Sequence, residues 1–523
     1  MGAEVGTEQS RGAPLKPLDD PTPLTGPTID VGVRIGWLLR MARLTAPERP
    51  AHRLGDMVTR LEWQGLRTST SSLHRIETGA VRDDRVVAAY EEALALAPHS
   101  LRASIDIVCR TFPYSPVDRA PVHRVSSPEE MSRLHEPVLA GEAVGGQWRE
   151  WARAMAQPGN VGLPVDEARD RVAALMRELV RARGTSYPVR YDALATLRRS
   201  AWGGVVREAA GTMLADPHVQ LVNDVMSAVG EAYDDDTRSW MVDLLGHPRE
   251  LLVEGAAIGL SVMAEAHGAP GFWAPVLDRV VAHYNAAALQ EGTRWRWLSH
   301  VLRLVPADEL AAVRGDVLHA PAPVAESLRP AGREALVRAC QRHAEEGSAA
   351  LGLPHQPLLA RLLFEVVGEG RSSRSHASAL LLGALPGLRR VAVDAVVSIA
   401  EDHPDPWLRD RATIRAASLI ADYLPPALRR RLRAAGELST HEMVWLVAAG
   451  VHVDDDVLRR AMHAGDWLFG PGGVLNLIGL SGSPVLGELL EEPGWSDEVR
   501  GAAAWWVRTG ARLVDPLPSP TDC

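Results

Sequence analysis

Apolar residues recur along the chain at intervals of three and four, the spacing of one helix face. Val31, Ile35, Leu38, Leu39 and Ala42 form the first such stripe, and Pro47 and Pro50 end it. Leu54, Met57, Val58 and Leu61 form a second, closed by a turn at Gly65. A short third helix runs from Ser69 to Thr78 with Leu73 and Ile76 inward, and Gly79 is its stop. Asp83 can cap a fourth helix carrying Val86, Val87, Tyr90, Ala93 and Leu94. After Pro98 a fifth carries Leu101, Ile105 and Val108. Residues 30–110 therefore read as a small five-helix head.

The flanks differ. Residues 1–29 are polar and rich in Pro and Gly, which predicts a disordered arm. Residues 111–128 hold four prolines and read as a linker. From 129 to 513 helical stripes follow one another between short Pro, Gly or Asp breaks, and alternating strand patterns are nearly absent. Three stretches begin alike, at Asp216-Pro217, His247-Pro248 and Asp405-Pro406, each followed by an Ala/Leu-rich face. This body loosely resembles degenerate HEAT-type helical repeats, which implies an extended, solenoid-like array with a concave surface suited to a peptide or protein. Residues 514–523 read as a flexible tail. The predicted fold class is all-α: a five-helix head on an extended helical body.

The net charge of −10 argues against non-specific binding of polyanions by the whole chain. Residues 31–111 nevertheless carry 12 Arg against nine Asp and Glu, a net of +3. Lys16 is the one lysine, so the abundance of Arg reflects coding bias and is not itself the sign of an Arg-rich binding surface. Cys109, Cys340 and Cys523 lie far apart and form no CxxC, which points away from disulfides or zinc and toward a reducing, cytoplasmic setting. No apolar run is long enough to span a membrane.

The run STSSLHRIETG from Ser69 to Gly79 resembles the recognition helix of the phage-repressor-like (Xre) helix-turn-helix family. Leu73, His74, Arg75, Ile76, Glu77 and Gly79 follow that family's order, and the helices on either side fit it. The likeness covers about 80 of the 523 residues. It departs at the start of the second helix, where Thr45 to His52 replaces the family's Gly-Leu-Ser-Gln segment, and the turn at Gly65 is two residues longer. The resemblance implies a module that reads double-stranded DNA, with Leu73, Ile76, Glu77 and Gly79 structural. The residues support this independently. With Leu73 and Ile76 inward, Thr70, Ser71 and His74 face out with Arg75 beside them, a small polar face fit for a major groove. Arg67, Thr68 and Ser69 precede them at a helix N-terminus, where phosphate is favoured. Glu77 is expected to pair with Arg40 or Arg43.

Other patterns have simpler readings. His441-Glu442 is half of a zinc-protease HExxH, but Trp445 stands where the second histidine belongs, and Ser439 with Glu442 makes a capping box. Asp234-Asp235-Asp236 and Asp454-Asp455-Asp456 precede helices and read as caps. Trp295 and Trp297 in the Arg294–Trp297 run read as core residues with stacked arginines, or as a patch on which a ligand stacks. No nucleophile–base pair, metal set or cofactor loop emerges, so no enzymatic activity, metal or cofactor is expected. The expected function is DNA-binding transcription regulation by a homodimer whose body senses a protein, peptide or other effector. The alternative is a helical scaffold whose head docks protein.

Overall fold

The computed structural model describes residues 16–46, 50–112, 114, 127–159, 163–268, 270–289, 292–321, 330–435, 437–464 and 473–516. Among them the fold is all-α, with 27 helices and no strand. The head holds α1 (Val31–Thr45), α2 (Leu54–Trp63), α3 (Thr70–Glu77), α4 (Asp84–Ala93) and α5 (Ser100–Thr111). The first half of the body runs through α6 (Pro128–Ala140), α7 (Gly145–Ala156), α8 (Val165–Arg181), α9 (Ser186–Arg198), α10 (Gly203–Ala215), α11 (Asn223–Gly230), α12 (Asp235–Leu244), α13 (Glu250–His267), α14 (Leu277–Ala288), α15 (Thr293–Leu304) and α16 (Ala307–Ala312). The second half runs through α17 (Pro330–Ala350), α18 (Pro357–Gly368), α19 (Ser372–Gly383), α20 (Pro386–Asp402), α21 (Pro406–Leu419), α22 (Pro426–Ala434), α23 (Thr440–Ala448), α24 (Asp455–His463), α25 (Val474–Ser481), α26 (Val485–Glu491) and α27 (Asp497–Thr509).

Alternate helices stack into rows, as repeat packing requires: α7, α9, α11, α13 and α15 in the first half, and α21, α23, α25 and α27 in the second. The array then returns on itself. Helix α27 packs on α8, Leu513 bridges to Ala182, and Arg190 grips Asp515 through two bonds of 2.7 and 2.8 Å. Helix α5 packs against both α9 and α19, so the head spans the two halves of the body.

Several local expectations hold. Asp234 and Asp454 cap α12 and α24 through backbone N–H groups, and Ser439 with Glu442 forms the capping box of α23. The repeated Pro signature does not hold throughout. Pro406 opens α21, but Asp216 caps the end of α10, and Pro217 lies in the loop before α11.

The flanks depart from expectation. Residues 16–29 of the predicted arm include a fully buried carboxylate, Asp20, which accepts from Arg34 at 2.7 Å. Arg361 donates to the carbonyls of Asp20 and Pro23, and Arg374 to those of Pro23 and Gly26. In the predicted tail, Asp515 is bound to Arg190 and Ser186. These polar segments gain order from buried arginines elsewhere in the chain. In the predicted linker, Thr111 ends α5 and Ser127 caps α6. Residues 1–15, 113, 115–126 and 517–523 lie outside the described residues.

The head also shares its core with the body. Thirteen of the 15 residues of α1 are buried, far more than one amphipathic stripe requires. Trp37, on the side away from the predicted stripe, is fully buried and donates its indole N–H to Gln356 at 3.2 Å. Arg34 makes two bonds to Glu365 of α18, at 2.7 and 2.8 Å.

The close seat of α3 on α1 depends on glycine. Gly79 has φ of +78°, and a Cβ on Gly36 would lie 2.4 Å from its backbone nitrogen and 2.8 Å from the Ile76 carbonyl oxygen. Those neighbours are backbone and cannot turn aside. Gly36→Ala is therefore expected to destabilise the head by about 1–3 kcal/mol, the usual range for overpacking. An unchanged urea midpoint would show that α1 and α3 can part at no cost.

Candidate nucleic-acid interface

Helix α3 is fixed at both ends and along its inner face. The Ser69 hydroxyl accepts from the Ser72 N–H at 3.1 Å and caps the N-terminus. At the other end, Ala80 and Gly79 donate to the Arg75 and Ile76 carbonyls, a Schellman stop. Leu73, Ile76 and Glu77 are buried. Glu77 receives two bonds from Arg43, at 2.6 and 2.8 Å, and one from the Tyr90 hydroxyl at 2.7 Å, while Arg40 stands 3.9 Å away. One carboxylate thus joins α1, α3 and α4. Arg43 also donates to the Ala51 and His52 carbonyls and so holds the approach to α2. Burial and the hydrogen bond and charge of Glu77 push Tyr90 well above its ordinary pKa, so it stays a phenol.

The outer face is open. Thr70, Ser71, His74, Arg75 and Arg67 are exposed, and neither arginine makes an ion pair among the described residues. Two predicted contacts differ. Thr68 is half-buried, and the exposed Ser69 has its hydroxyl engaged in the cap and with Ser72 at 3.1 Å. Sequence reading passed over Arg53, exposed at the N-cap of α2, and Trp63, 80% exposed at the end of that helix. Position just ahead of the Leu54 stripe was the available signal for Arg53; Trp63 had none.

The positive excess counted along the head is not all at its surface. Arg34, Arg43, Arg82 and Arg110 are bound to carboxylates in or near the core. Among the described residues of the head, Arg53, Arg67 and Arg75 are exposed cations without an ion pair, and Asp56 and Glu62 are exposed acids of α2.

Behind the head, the body encloses two adjoining cavities of about 640 and 480 Å³. Tyr187, Asp224, His376 and Arg415 line both. The larger is also lined by Ile107, Cys109, Arg110 and Thr111 of α5, so the last helix of the head forms part of its wall. Arg110 bonds Asp192 at 2.6 Å and Glu231 at 2.5 Å, and Arg149 joins Asp192 to Asp106 of α5. Of the sequence features outside the head, Trp297 reaches this wall, edge-on to His300. Burial, with Arg415 adding, lowers His376 to about 4, so it is neutral near pH 7. No three metal-ligating side chains stand together among the described residues, and no helix is long and apolar enough to cross a membrane. In comparison with known proteins, no family model, curated protein or solved structure matches the chain.

Proposed function

We propose that this chain is a DNA-binding transcription regulator of the phage-repressor-like helix-turn-helix type, in which α3 reads the major groove and the helical body senses an effector. The observation that carries this reading is the two-sided build of α3. Leu73, Ile76 and Glu77 lock it to α1 and α4, while Thr70, Ser71, His74, Arg75 and nearby Arg67 stand exposed. A base-reading helix needs a rigid seat and a short polar face with unengaged cations. One such helix makes few base contacts, so a homodimer on two half-sites is the matching geometry. The shared wall at α5 supports the sensing role: whatever fills the larger cavity touches the helix on which the head is packed.

The test is fluorescence anisotropy of the full chain against duplexes from upstream of its own gene, with a scrambled duplex and two salt concentrations. Arg75→Ala is expected to weaken specific binding by about 1–3 kcal/mol and leave the melting temperature unchanged, because Arg75 is exposed and makes no ion pair. Failure to bind any duplex at low salt would overturn the proposal in favour of a scaffold whose head docks protein.

A further inference from the structure

The lining of the smaller cavity is unbalanced in charge. Arg183, Arg389, Arg415 and Arg512 face it, with Asp224 as the acid among its lining residues. Arg389 is neutralised by Asp422 at 3.1 Å. Arg183 and Arg512 donate to backbone carbonyls, which carry no full charge. The Arg415 guanidinium makes no hydrogen bond or ion pair among the described residues, and burial and Arg411 lower its pKa to about 10. Asp224 already accepts the Tyr187 hydroxyl at 2.9 Å. Leu380, Val444, Trp445, Leu477 and Leu480 supply an apolar part of the same lining. A withdrawn, unpaired cation is costly unless an anion meets it, and both cavities have the size of small-molecule sites.

We propose that this cavity binds a small amphipathic organic anion, a carboxylate or phosphate, with its acid group on Arg415 and its apolar body against Trp445, Leu477 and Leu480. A guanidinium facing both cavities can hold either acid through paired N–H bonds. His376, beside it and neutral, can donate or accept one bond more. A ligand held there lies next to the cavity walled by α5, which makes it a candidate for the effector. The inference rests on the sensing role proposed above, but ligand binding is measured without DNA, so the two readings fail separately.

The experiment titrates the full chain with anilinonaphthalene sulfonate, an aromatic anion that fluoresces in apolar surroundings, and with uncharged phenylnaphthylamine. Saturable binding of the anion at one site is expected. Arg415→Gln should weaken it about ten-fold or more, the effect of losing a charge-assisted pair, and Arg415→Lys should restore part of the loss. Phenylnaphthylamine should not distinguish the variants. Arg415→Gln should melt no lower than the parent, because it removes a cation that lacks a partner. Decanoate and decyl phosphate, as competitors, then tell which acid group the site prefers, and decanol should not compete. Equal binding of the anion by Arg415→Gln, displacement by decanol as effective as by the two anions, or a marked fall in melting temperature of Arg415→Gln would each overturn the proposal.

Discussion

Glu365→Ala should lose about 3–5 kcal/mol of stability, the usual effect of removing one partner from a buried ion pair. The side chain is fully buried and accepts from Arg34 at 2.7 and 2.8 Å, Arg374 at 2.7 Å, Arg361 at 3.1 Å and Ser378 at 2.6 Å. Truncating it leaves Arg34 and Arg361 with Asp20 as their remaining carboxylate, and Arg374 with Glu369 at 3.9 Å. The reverse change is milder. Arg34→Met leaves Glu365 with two arginines, and Asp20 with Arg361 at 3.8 Å and the Thr22 hydroxyl at 2.6 Å, so neither carboxylate is stripped of partners and the change should cost less. Urea unfolding of both variants gives the order, and a Glu365→Ala loss below about 1 kcal/mol would show that the node does not fasten α1 to α18.

The same node predicts an acid limit. Burial pushes Asp20 upward, but hydrogen bonds from Thr22 and the charge of Arg34 outweigh it and leave the carboxyl at about 2. Glu365 is likewise lowered, as the bonds and charge of Arg34, with Arg374 and Ser378, overcome its burial. For a carboxyl lowered in the folded state, the stabilisation is complete above the ordinary value near 4 and lost as pH falls through the folded value. Stability should therefore fall steeply between about pH 4 and pH 2.

Much of the head was legible in the sequence, because helical periodicity and capping are local. The stripe of α1, the stop at Gly79, the caps at Asp83 and Asp234, and the pairing of Glu77 with Arg43 all follow from residues within a few turns or on neighbouring helices. What surrounds the head was not legible. Asp20 sits in a Pro-rich stretch whose composition reads as disorder, and its segment is held by Arg361, 341 positions away. Trp37 and Met41 lie outside the predicted stripe, and periodicity alone does not say what their face meets. Arg415 gives still less sign of its role, since an arginine in an Arg/Ala-rich helix ordinarily reads as solvated. It stands in a cavity only because α21 lies across from α9 and α11, whose Tyr187 and Asp224 share its walls.

On the proposed function, Glu77→Ala should abolish DNA binding although Glu77 is not among the groups proposed to face DNA. Glu77 is 1% exposed and lies on the inner side of α3. Its loss leaves Arg43 in the core with only the Ala51 and His52 carbonyls, and takes from the Tyr90 hydroxyl its acceptor. A buried charge stripped of its partner typically costs about 3–5 kcal/mol, and here the same carboxylate sets the orientation of α3 against two other helices. Glu77→Gln should fall between, since its amide oxygen still accepts a hydrogen bond while the charge that balances Arg43 is gone. Paired with Arg75→Ala, the variant separates two causes of lost binding. Arg75→Ala should lower affinity at constant melting temperature, whereas Glu77→Ala should lower both together. If Glu77→Ala melts lower but binds its duplex with undiminished affinity, the seat of α3 does not govern recognition, and the reading element must be sought at Arg53 and the start of α2 instead.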